Sequence, residues 1–345
     1  MRIGVLTGGG DCPGLNPAIR GIVMRALTFG DDLVGILQGW KGLRELLTTP
    51  LTIDLVDPII SQGGTILESS RTNPIKDEES IQLCLDNARQ LGLEALIALG
   101  GEDTLGGAHG LCARGLNCVG VPKTMDNDLS ATDYTFGFDS AVSVALDAAD
   151  RLKDTARSHR RLMVLEVMGR HAGWVALHTG VCAGADWVLI PEIPLDLDEM
   201  LDHLKVMRAR GKEHGLVVVS EGVKPPEAES AKAGSAVHEK DEFQHEKLGG
   251  IAQYIAHEVK RRSDFDTRHV TLGHVVRGGA PTPFDRWLAS RVGIKAVELV
   301  HEGKFDHMAA LKGTQIVGVP LEEAVGQLKT VPPELYEELK TLFSQ

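Results

Sequence analysis

The chain of 345 residues carries 36 Lys and Arg against 48 Asp and Glu, which gives a formal net charge of −12. This acidic balance argues against nucleic acid as the main partner, because phosphate backbones are bound by basic surfaces. Hydrophobic residues make up 43% and charged residues 24%, as in ordinary globular proteins, and no apolar run is long enough to predict a membrane span. The length exceeds what one compact core usually holds, so two lobes are expected.

The five cysteines are scattered, odd in number and lack a CxxC pair. This pattern predicts reduced, mostly structural thiols in a cytoplasmic protein.

Short apolar runs predict strands, and a glycine-rich or polar turn follows each of them. In chain order the predicted strands are residues 3–6, 95–99, 119–121, 162–167, 216–220 and 272–276, and the helical patterns are residues 16–27, a stretch after residue 104 and one from residue 172. Strands that alternate with helices predict parallel sheets with helices on both faces. Ligands bind beyond the carboxyl ends of such strands, so we expect one shared active cleft.

The first two turns combine glycines with carboxylates. Gly8-Gly9-Gly10-Asp11 allows the backbone to approach an anion at a helix N-terminus, although a tight turn without a ligand explains it equally well. The turn matches neither a dinucleotide fingerprint nor a P-loop. Gly100-Gly101-Glu102-Asp103 places carboxylates at a similar turn, which indicates either Mg²⁺ between carboxylate and phosphate or simple helix-start preference.

The third loop concentrates Thr124, Asp126, Asn127 and Asp128 directly after Lys123. A carboxylate here can take a proton from a hydroxyl during phosphoryl transfer, and the open alternative is an Asx turn. Arginines lie near several strand ends, where a guanidinium can bind phosphate oxygens with two hydrogen bonds. These arginines are Arg71, Arg160, Arg161, Arg170, Arg268 and Arg277, with His274 between the last two.

Six motifs, taken in order, resemble the bacterial-type 6-phosphofructokinase family over nearly the whole chain. The motifs are residues 8–16, 100–104, 122–128, 168–170, 220–222 and 272–279. The resemblance implies an α/β fold of two Rossmann-like, three-layer lobes with mainly parallel sheets and an active site in the cleft between them. It implies a phosphoryl-donor lobe of residues 1–137 and about 275–323, and a fructose 6-phosphate lobe of residues 138–274 and about 324–345. Residues 224–247 read as an exposed insertion.

The resemblance also implies roles for single residues. Asp126 would be the base for the sugar 1-hydroxyl, with Thr124 and Asp128 beside it, while Glu102 would hold Mg²⁺ and Arg71 would neutralise the transferring group. Gly10, Asp103 and Lys123 would bind the donor. The residues implied to bind the sugar phosphate are Thr124, Met125, Asp126, Arg161, Met168, Gly169, Arg170, Glu221, Arg268, His274, Val275, Val276 and Arg277. Arg161 and Arg268 would complete a neighbouring subunit's site, so a homodimer or homotetramer is expected.

Two positions bear on the phosphoryl donor. ATP-dependent members typically carry Gly where this chain has Asp103, and Gly where it has Lys123. A carboxylate adds bulk and negative charge that repel the α-phosphate of a nucleotide, and an ammonium can bind pyrophosphate oxygens instead. We therefore expect a reversible, Mg²⁺-dependent transfer from pyrophosphate to fructose 6-phosphate in glycolysis and gluconeogenesis.

Three alternatives remain at this point. The chain could be an ATP-dependent 6-phosphofructokinase, a dinucleotide-dependent oxidoreductase or a sugar-phosphate sensor without catalysis, although GxGxxG is missing and the catalytic residues are present. Arg20, Lys212 and His214 resemble parts of the family's effector site, whereas Met24 stands where regulated members have a cation. Weak or absent nucleotide regulation is expected.

Overall fold

A computed structural model describes residues 1–226 and 249–343. The strands are β1 (Arg2–Thr7), β2 (Asp32–Ile36), β3 (Thr48–Pro50), β4 (Ala95–Gly100), β5 (Cys118–Pro122), β6 (Arg161–Val167), β7 (Trp187–Leu189), β8 (Gly215–Ser220), β9 (Asp266–Thr271), β10 (His307–Lys312) and β11 (Gln315–Pro320). The helices are α1 (Leu15–Phe29), α2 (Trp40–Glu45), α3 (Ile53–Val56), α4 (Glu78–Gln90), α5 (Glu102–Cys112), α6 (Phe138–His159), α7 (Trp174–Ala183), α8 (Leu197–Ala209), α9 (Ile251–Arg262), α10 (Pro283–His301), α11 (Leu321–Val325) and α12 (Pro333–Lys340).

The strands form two sheets. The larger has the order β11-β10-β5-β4-β1-β2-β3, and the smaller has the order β7-β8-β6-β9. All pairs are parallel except β2–β3 and β10–β11 at the two edges of the larger sheet. The expected mixed α/β class with mainly parallel sheets is therefore confirmed.

The described chain divides into two compact units. The first comprises Met1–Ser140 and Arg277–Leu328, and it holds the seven-stranded sheet. The second comprises residues 141–226, 249–276 and 329–343, and it holds the four-stranded sheet. In the first unit, β4 and β5 are buried along their whole length, as continuous apolar strands in a covered parallel sheet should be.

Helices α1 and α10 of the first unit approach closely through glycine. A Cβ on Gly21 would lie 2.5 Å from the Ser290 carbonyl oxygen, and one on Gly293 would lie 2.5 Å from the Ala18 carbonyl oxygen. Only a residue without a side chain allows such contact between helix backbones. The glycines therefore fix α1, which begins just after the Gly8–Asp11 turn, against a helix from the far end of the sequence.

The prediction of a strand at residues 272–276 is wrong. The strand lies earlier, at Asp266–Thr271, and Gly273–Arg277 forms a 3-10 helix. Gly273 has a φ of 50°, which ends the extended backbone, and the short helix leaves Val275 64% exposed while Val276 is buried. The two adjacent valines suggested a strand, although they belong to a 3-10 helix that buries only one of them.

No helix within residues 1–226 and 249–343 is both long enough and apolar enough to cross a membrane. The predicted insertion of residues 224–247 lies outside the described residues except at 224–226, where Lys224 and Pro226 are exposed.

Candidate active site

Three turns of the first unit meet at one edge of the larger sheet. Strands β1, β4 and β5 are parallel neighbours, so their carboxyl ends are aligned. The Gly8 N–H donates to the Leu99 carbonyl at 2.9 Å, and the Lys123 N–H donates to the Gly100 carbonyl at 2.9 Å. The glycine turn, the Glu102–Asp103 turn and the Lys123–Asp128 loop therefore form one continuous surface.

Side chains from outside the glycine turn hold its carbonyl groups. The Ser69 hydroxyl donates to the Gly9 carbonyl at 2.5 Å, and the Lys123 ammonium donates to the Gly10 carbonyl at 2.5 Å. Arg277 Nη1 donates to the Asp11 carbonyl at 3.1 Å. The turn is also bound through its backbone, because the Gly9 N–H donates to the Ser70 carbonyl at 3.0 Å.

Lys123 lies beneath the turn. Its side chain is only 4% exposed, and burial lowers the pKa of the ammonium, with the nearby Arg277 acting in the same direction. Burial also raises the pKa of the neighbouring Cys12 thiol to about 12, so Cys12 is not a nucleophile at neutral pH. The positive charge of Lys123 thus acts on the turn from inside the unit.

Glu102 and Asp103 occupy the first turn of α5, and Gly101 precedes them as the N-cap. Glu102 is exposed and Asp103 is half-buried. Among residues 1–226 and 249–343 no group of three or more His, Cys, Asp or Glu side chains could hold a metal ion by itself. An exposed carboxylate at a phosphate-sized turn nevertheless fits Mg²⁺, which usually takes one or two carboxylates and completes its shell with water and phosphate oxygens.

Hydrogen bonds within the third loop fix its conformation. Thr124 Oγ1 donates to Asp128 Oδ1 at 2.9 Å and accepts from the Asp126 N–H at 3.1 Å. Asn127 has a φ of 52°, and its side-chain oxygen accepts from the Thr135 N–H at 3.1 Å. The bond from the Asp126 N–H to Thr124 Oγ1 spans two residues and forms an ST turn, which brings Thr124, Asp126 and Asp128 together and presents the half-buried Asp126 at the sheet edge.

The arginines predicted for the site separate in the structure. Arg71 is exposed and directly follows Ser69 and Ser70, which are both bonded to the glycine turn. Arg277, predicted at the sugar 6-phosphate, lies against Gly10, where an added Cβ would be 2.1 Å from its Nη1 atom. Both arginines therefore belong to the neighbourhood of the glycine turn in the first unit.

In the second unit, β6 and β8 are parallel neighbours and their terminal turns are joined. The Ser220 hydroxyl donates to the Gly169 carbonyl at 2.6 Å, and the Gly222 N–H donates to the same oxygen at 3.0 Å. Gly169 has a φ of 148°, and Gly222 has no room for a side chain because the Arg170 carbonyl would be 2.1 Å from its Cβ.

Two further bonds complete this second surface. The Glu221 N–H donates to the Val167 carbonyl at 2.9 Å, and the Leu272 N–H donates to the Glu166 carbonyl at 3.0 Å. The predicted Met168–Arg170 and Glu221 motifs are thus brought together, and the segment leading to the exposed His274 begins beside them. The side chains of Met125, Met168 and Val276 are buried, so any contact they make with a ligand runs through their backbone.

Arg161 and Arg268 share one carboxylate. Arg161 Nε donates to Asp266 Oδ2 at 2.6 Å, Arg268 Nη1 donates to Asp266 Oδ1 at 2.5 Å, and these bonds lower the pKa of Asp266. Arg161 is the first residue of β6, whereas Met168 follows its last residue. At about 3.3 Å per residue the two lie roughly 23 Å apart along the strand. Arg161 therefore does not reach the Met168–Arg170 turn of its own chain.

Two of the residues that resemble an effector site, Arg20 and Lys212, are held by ion pairs. Arg20 pairs with Asp57 at 3.0 Å, and Lys212 pairs with the buried Asp186. Lys212, Asp186 and His214 line a cavity of about 310 Å³ in the second unit.

Comparisons with known proteins agree on the family of this chain. A family model described as phosphofructokinase matches residues 2–300. A pyrophosphate–fructose 6-phosphate 1-phosphotransferase from Dictyoglomus thermophilum is 51% identical over 345 residues, covering 100% of this chain and 99% of its own length. An ATP-dependent 6-phosphofructokinase 3 from Streptomyces coelicolor is 49% identical over 347 residues, covering 99% of this chain and 100% of its own length.

A solved structure supports the fold. The pyrophosphate-dependent phosphofructokinase from Nitrosospira multiformis matches with a TM-score of 0.84 at 20% identity, covering 100% of this chain and 92% of its own. Relatives named as pyrophosphate-dependent are 50–51% identical to this chain, whereas relatives named as ATP-dependent are 45–49% identical, so the comparisons favour pyrophosphate as the phosphoryl donor. The residues at the glycine and carboxylate turns bear on the same distinction.

Proposed function

Because the chain belongs to the phosphofructokinase family, we propose that it transfers a phosphoryl group from pyrophosphate to the 1-hydroxyl of fructose 6-phosphate. The products are fructose 1,6-bisphosphate and phosphate. The alignment of the β1, β4 and β5 turns at one sheet edge is the observation that supports this most, because it gathers a glycine cradle, carboxylates and a candidate base. Phosphoryl transfer depends on such positioning and charge stabilisation more than on covalent chemistry.

Asp126 is the proposed base. It accepts the proton of the sugar 1-hydroxyl while that oxygen bonds to the terminal phosphorus of pyrophosphate and the bridging P–O bond breaks. The bond from the Asp126 N–H to Thr124 Oγ1 and the bond from that hydroxyl to Asp128 hold the loop in place. Arg71 supplies a positive charge for the transferring group from the segment that is attached to the glycine turn.

Mg²⁺ is the proposed cofactor, with Glu102 as its protein ligand and Asp103 next to it at the start of α5. When bound, the ion neutralises the phosphate oxygens and helps to stabilise the charge that develops during transfer. The first turn of α5 lies at the positive end of the helix dipole, which favours negative charge at the same place.

The sugar phosphate is assigned to the second unit. Met168, Gly169, Arg170 and Glu221 lie on the joined turns after β6 and β8 and would bind the sugar, while His274 would bind the 6-phosphate. Arg277 was predicted there too, but its contacts with Gly10 and Asp11 support a place beside the donor phosphates. Arg161 lies away from these turns and Arg268 shares its Asp266 partner, which supports a role for both in a neighbouring subunit of a homo-oligomer.

Pyrophosphate is preferred over ATP because of Asp103. Its carboxylate stands one residue beyond the proposed metal ligand, where the α-phosphate of a nucleotide would bring like charge.

The five cysteines are all free thiols, as expected for a cytoplasmic enzyme.

The deciding experiment compares donors directly. Purified protein with fructose 6-phosphate and Mg²⁺ is assayed with pyrophosphate and with ATP, and fructose 1,6-bisphosphate is measured. We expect kcat/KM for pyrophosphate to exceed that for ATP. Faster turnover with ATP would reverse the donor assignment, and binding of fructose 6-phosphate without product from either donor would indicate a sensor.

A further inference from the structure

Two consecutive carbonyl groups of the glycine turn receive side chains from distant parts of the chain. Ser69 Oγ reaches the Gly9 carbonyl across 60 residues of sequence, and Lys123 Nζ reaches the Gly10 carbonyl across 113 residues. The serine lies before Arg71 and the lysine follows β5, so two separate segments converge on adjacent peptide groups. Neither bond is needed to close the turn, which already has its own backbone bonds at Gly8 and Gly9.

These contacts determine where the N–H groups of the turn point. In a trans peptide the C=O and the following N–H point in opposite directions. With the Gly9 and Gly10 carbonyls directed at Ser69 and Lys123, the N–H groups of Gly10 and Asp11 face away from both side chains. Both residues are partly exposed, and within the part of the chain that the structure describes no acceptor receives either N–H.

Gly9 has a φ of 75°, a conformation in which successive N–H groups can form an anion-binding concavity. We infer that Ser69 and Lys123 are positioning residues that hold the Gly9–Gly10 and Gly10–Asp11 peptides with their N–H groups directed at a pyrophosphate phosphate group. This inference rests on the proposed function, since it takes pyrophosphate as the donor. It gives Lys123 a different role from direct contact with pyrophosphate oxygens.

The burial of Lys123 supports this role. A side chain that is 4% exposed and bonded to a carbonyl has little surface left for a ligand, yet it orients the group that binds the ligand. Ser69 was not singled out from the sequence, because a serine in a polar loop carries no signal of its target. The Ser69 hydroxyl orients the Gly9 carbonyl in the same way as Lys123 orients the Gly10 carbonyl.

The test uses the full-length protein and five variants. Ser69→Ala removes the hydroxyl, Ser69→Thr keeps it, and Lys123→Met keeps the length of the side chain without a donor. Ser70→Ala is the matched control, because the Ser70 hydroxyl donates to the Gln38 carbonyl at 2.6 Å and not to the turn. The fifth variant combines Ser69→Ala with Lys123→Met, and thermal melts verify that each variant folds.

We expect Ser69→Ala to raise KM for pyrophosphate about three- to tenfold and Lys123→Met to raise it at least about tenfold, the range of neutral and charged hydrogen bonds. KM for fructose 6-phosphate should stay within about twofold, and Ser69→Thr and Ser70→Ala should resemble the wild type. The double variant should lose less than the product of the two single effects, because both bonds orient one loop.

Two results would overturn the inference: an unchanged KM for pyrophosphate in Ser69→Ala, or fully multiplicative effects in the double variant. Calorimetry with methylenediphosphonate, an analogue of pyrophosphate that is not cleaved, measures donor affinity in the same variants without turnover. Weaker binding in Ser69→Ala but not in Ser70→Ala supports the inference, and equal binding refutes it. A wild type that fails to use pyrophosphate would instead refute the proposed function, so the two failures are distinguishable.

Discussion

Replacing Gly10 by Ala tests the geometry of the glycine turn most directly. An added Cβ would lie 2.1 Å from Arg277 Nη1 and 2.8 Å from its Cζ atom. An ordinary contact begins at 3.4 Å, so the guanidinium must withdraw by about 3.4 − 2.1 = 1.3 Å. That movement breaks the bond from Arg277 Nη1 to the Asp11 carbonyl, which is 3.1 Å long.

The effect on catalysis should be much larger than the effect on stability. Misplacing an active-site group by about 1 Å can reduce the rate about 100-fold, so we expect kcat/KM with pyrophosphate to fall about that much. The free energy of unfolding should fall by only about 1 kcal/mol, because the lost hydrogen bond is partly offset by the lower unfolded-state entropy of Ala.

Steady-state kinetics and urea unfolding measure the two effects separately. Gly106→Ala is the control, because it makes the same chemical change inside α5, where nothing lies within 4 Å of the added Cβ. It should keep wild-type kinetics and gain about 0.5–1 kcal/mol of stability. A Gly10→Ala enzyme that retains kcat/KM within about threefold of wild type would show that Arg277 does not need its observed position.

Three further predictions concern single carboxylates. Asp103→Gly should raise kcat/KM for ATP at least about tenfold and weaken pyrophosphate use, since it removes a like charge from the α-phosphate; unchanged donor selectivity in the same assay would contradict this. Asp126→Asn should lower kcat about 10²- to 10⁴-fold and leave the affinity for fructose 6-phosphate nearly unchanged, as measured by initial rates and by calorimetric binding. A loss of affinity instead would show that Asp126 binds the sugar rather than acting as the base. Burial raises the pKa of Asp285 from 3.8 to about 6, so the folded protein holds that proton more tightly and loses stability as pH rises from about 4 to 6. The loss of stability is about 3 kcal/mol, and Asp285→Asn should remove this pH dependence. If the free energy of unfolding, measured with urea, changes equally with pH in the wild type and the variant between pH 4 and 7, the prediction is wrong.

Sequence reasoning found the parts of the fold that have strong local signals. Strands β1 and β4 each contain a short apolar run that leads into a glycine turn, and both lie in the structure where the pattern placed them. Strand β9 was missed because it is an edge strand on which Arg268 and His269 are exposed. Its composition looks like a loop, and only its pairing with β6 makes it a strand.

Sequence reasoning also predicted only part of the candidate site. The three turns could be expected at one sheet edge, because parallel neighbours align their carboxyl ends. The bond from Ser69 to Gly9 and the position of Arg277 beside Gly10 could not, since both depend on side-chain geometry between segments 60 and 266 residues apart. Residue type and spacing predict the chemistry of a site, whereas these contacts set its orientation.

The packing of α1 on α10 has a consequence for biosynthesis. The first unit begins with Met1–Ser140, but α10 and β10, which lies beside β5, come from the stretch after Arg277. At about 5–20 residues per second, a ribosome needs roughly 7 to 30 s to make the intervening residues. During that interval the glycine face of α1 and the open edge of β5 have no partner on the nascent chain. This enzyme should therefore depend on chaperones, or on slow translation of the second unit, more than a protein whose units are each continuous in sequence.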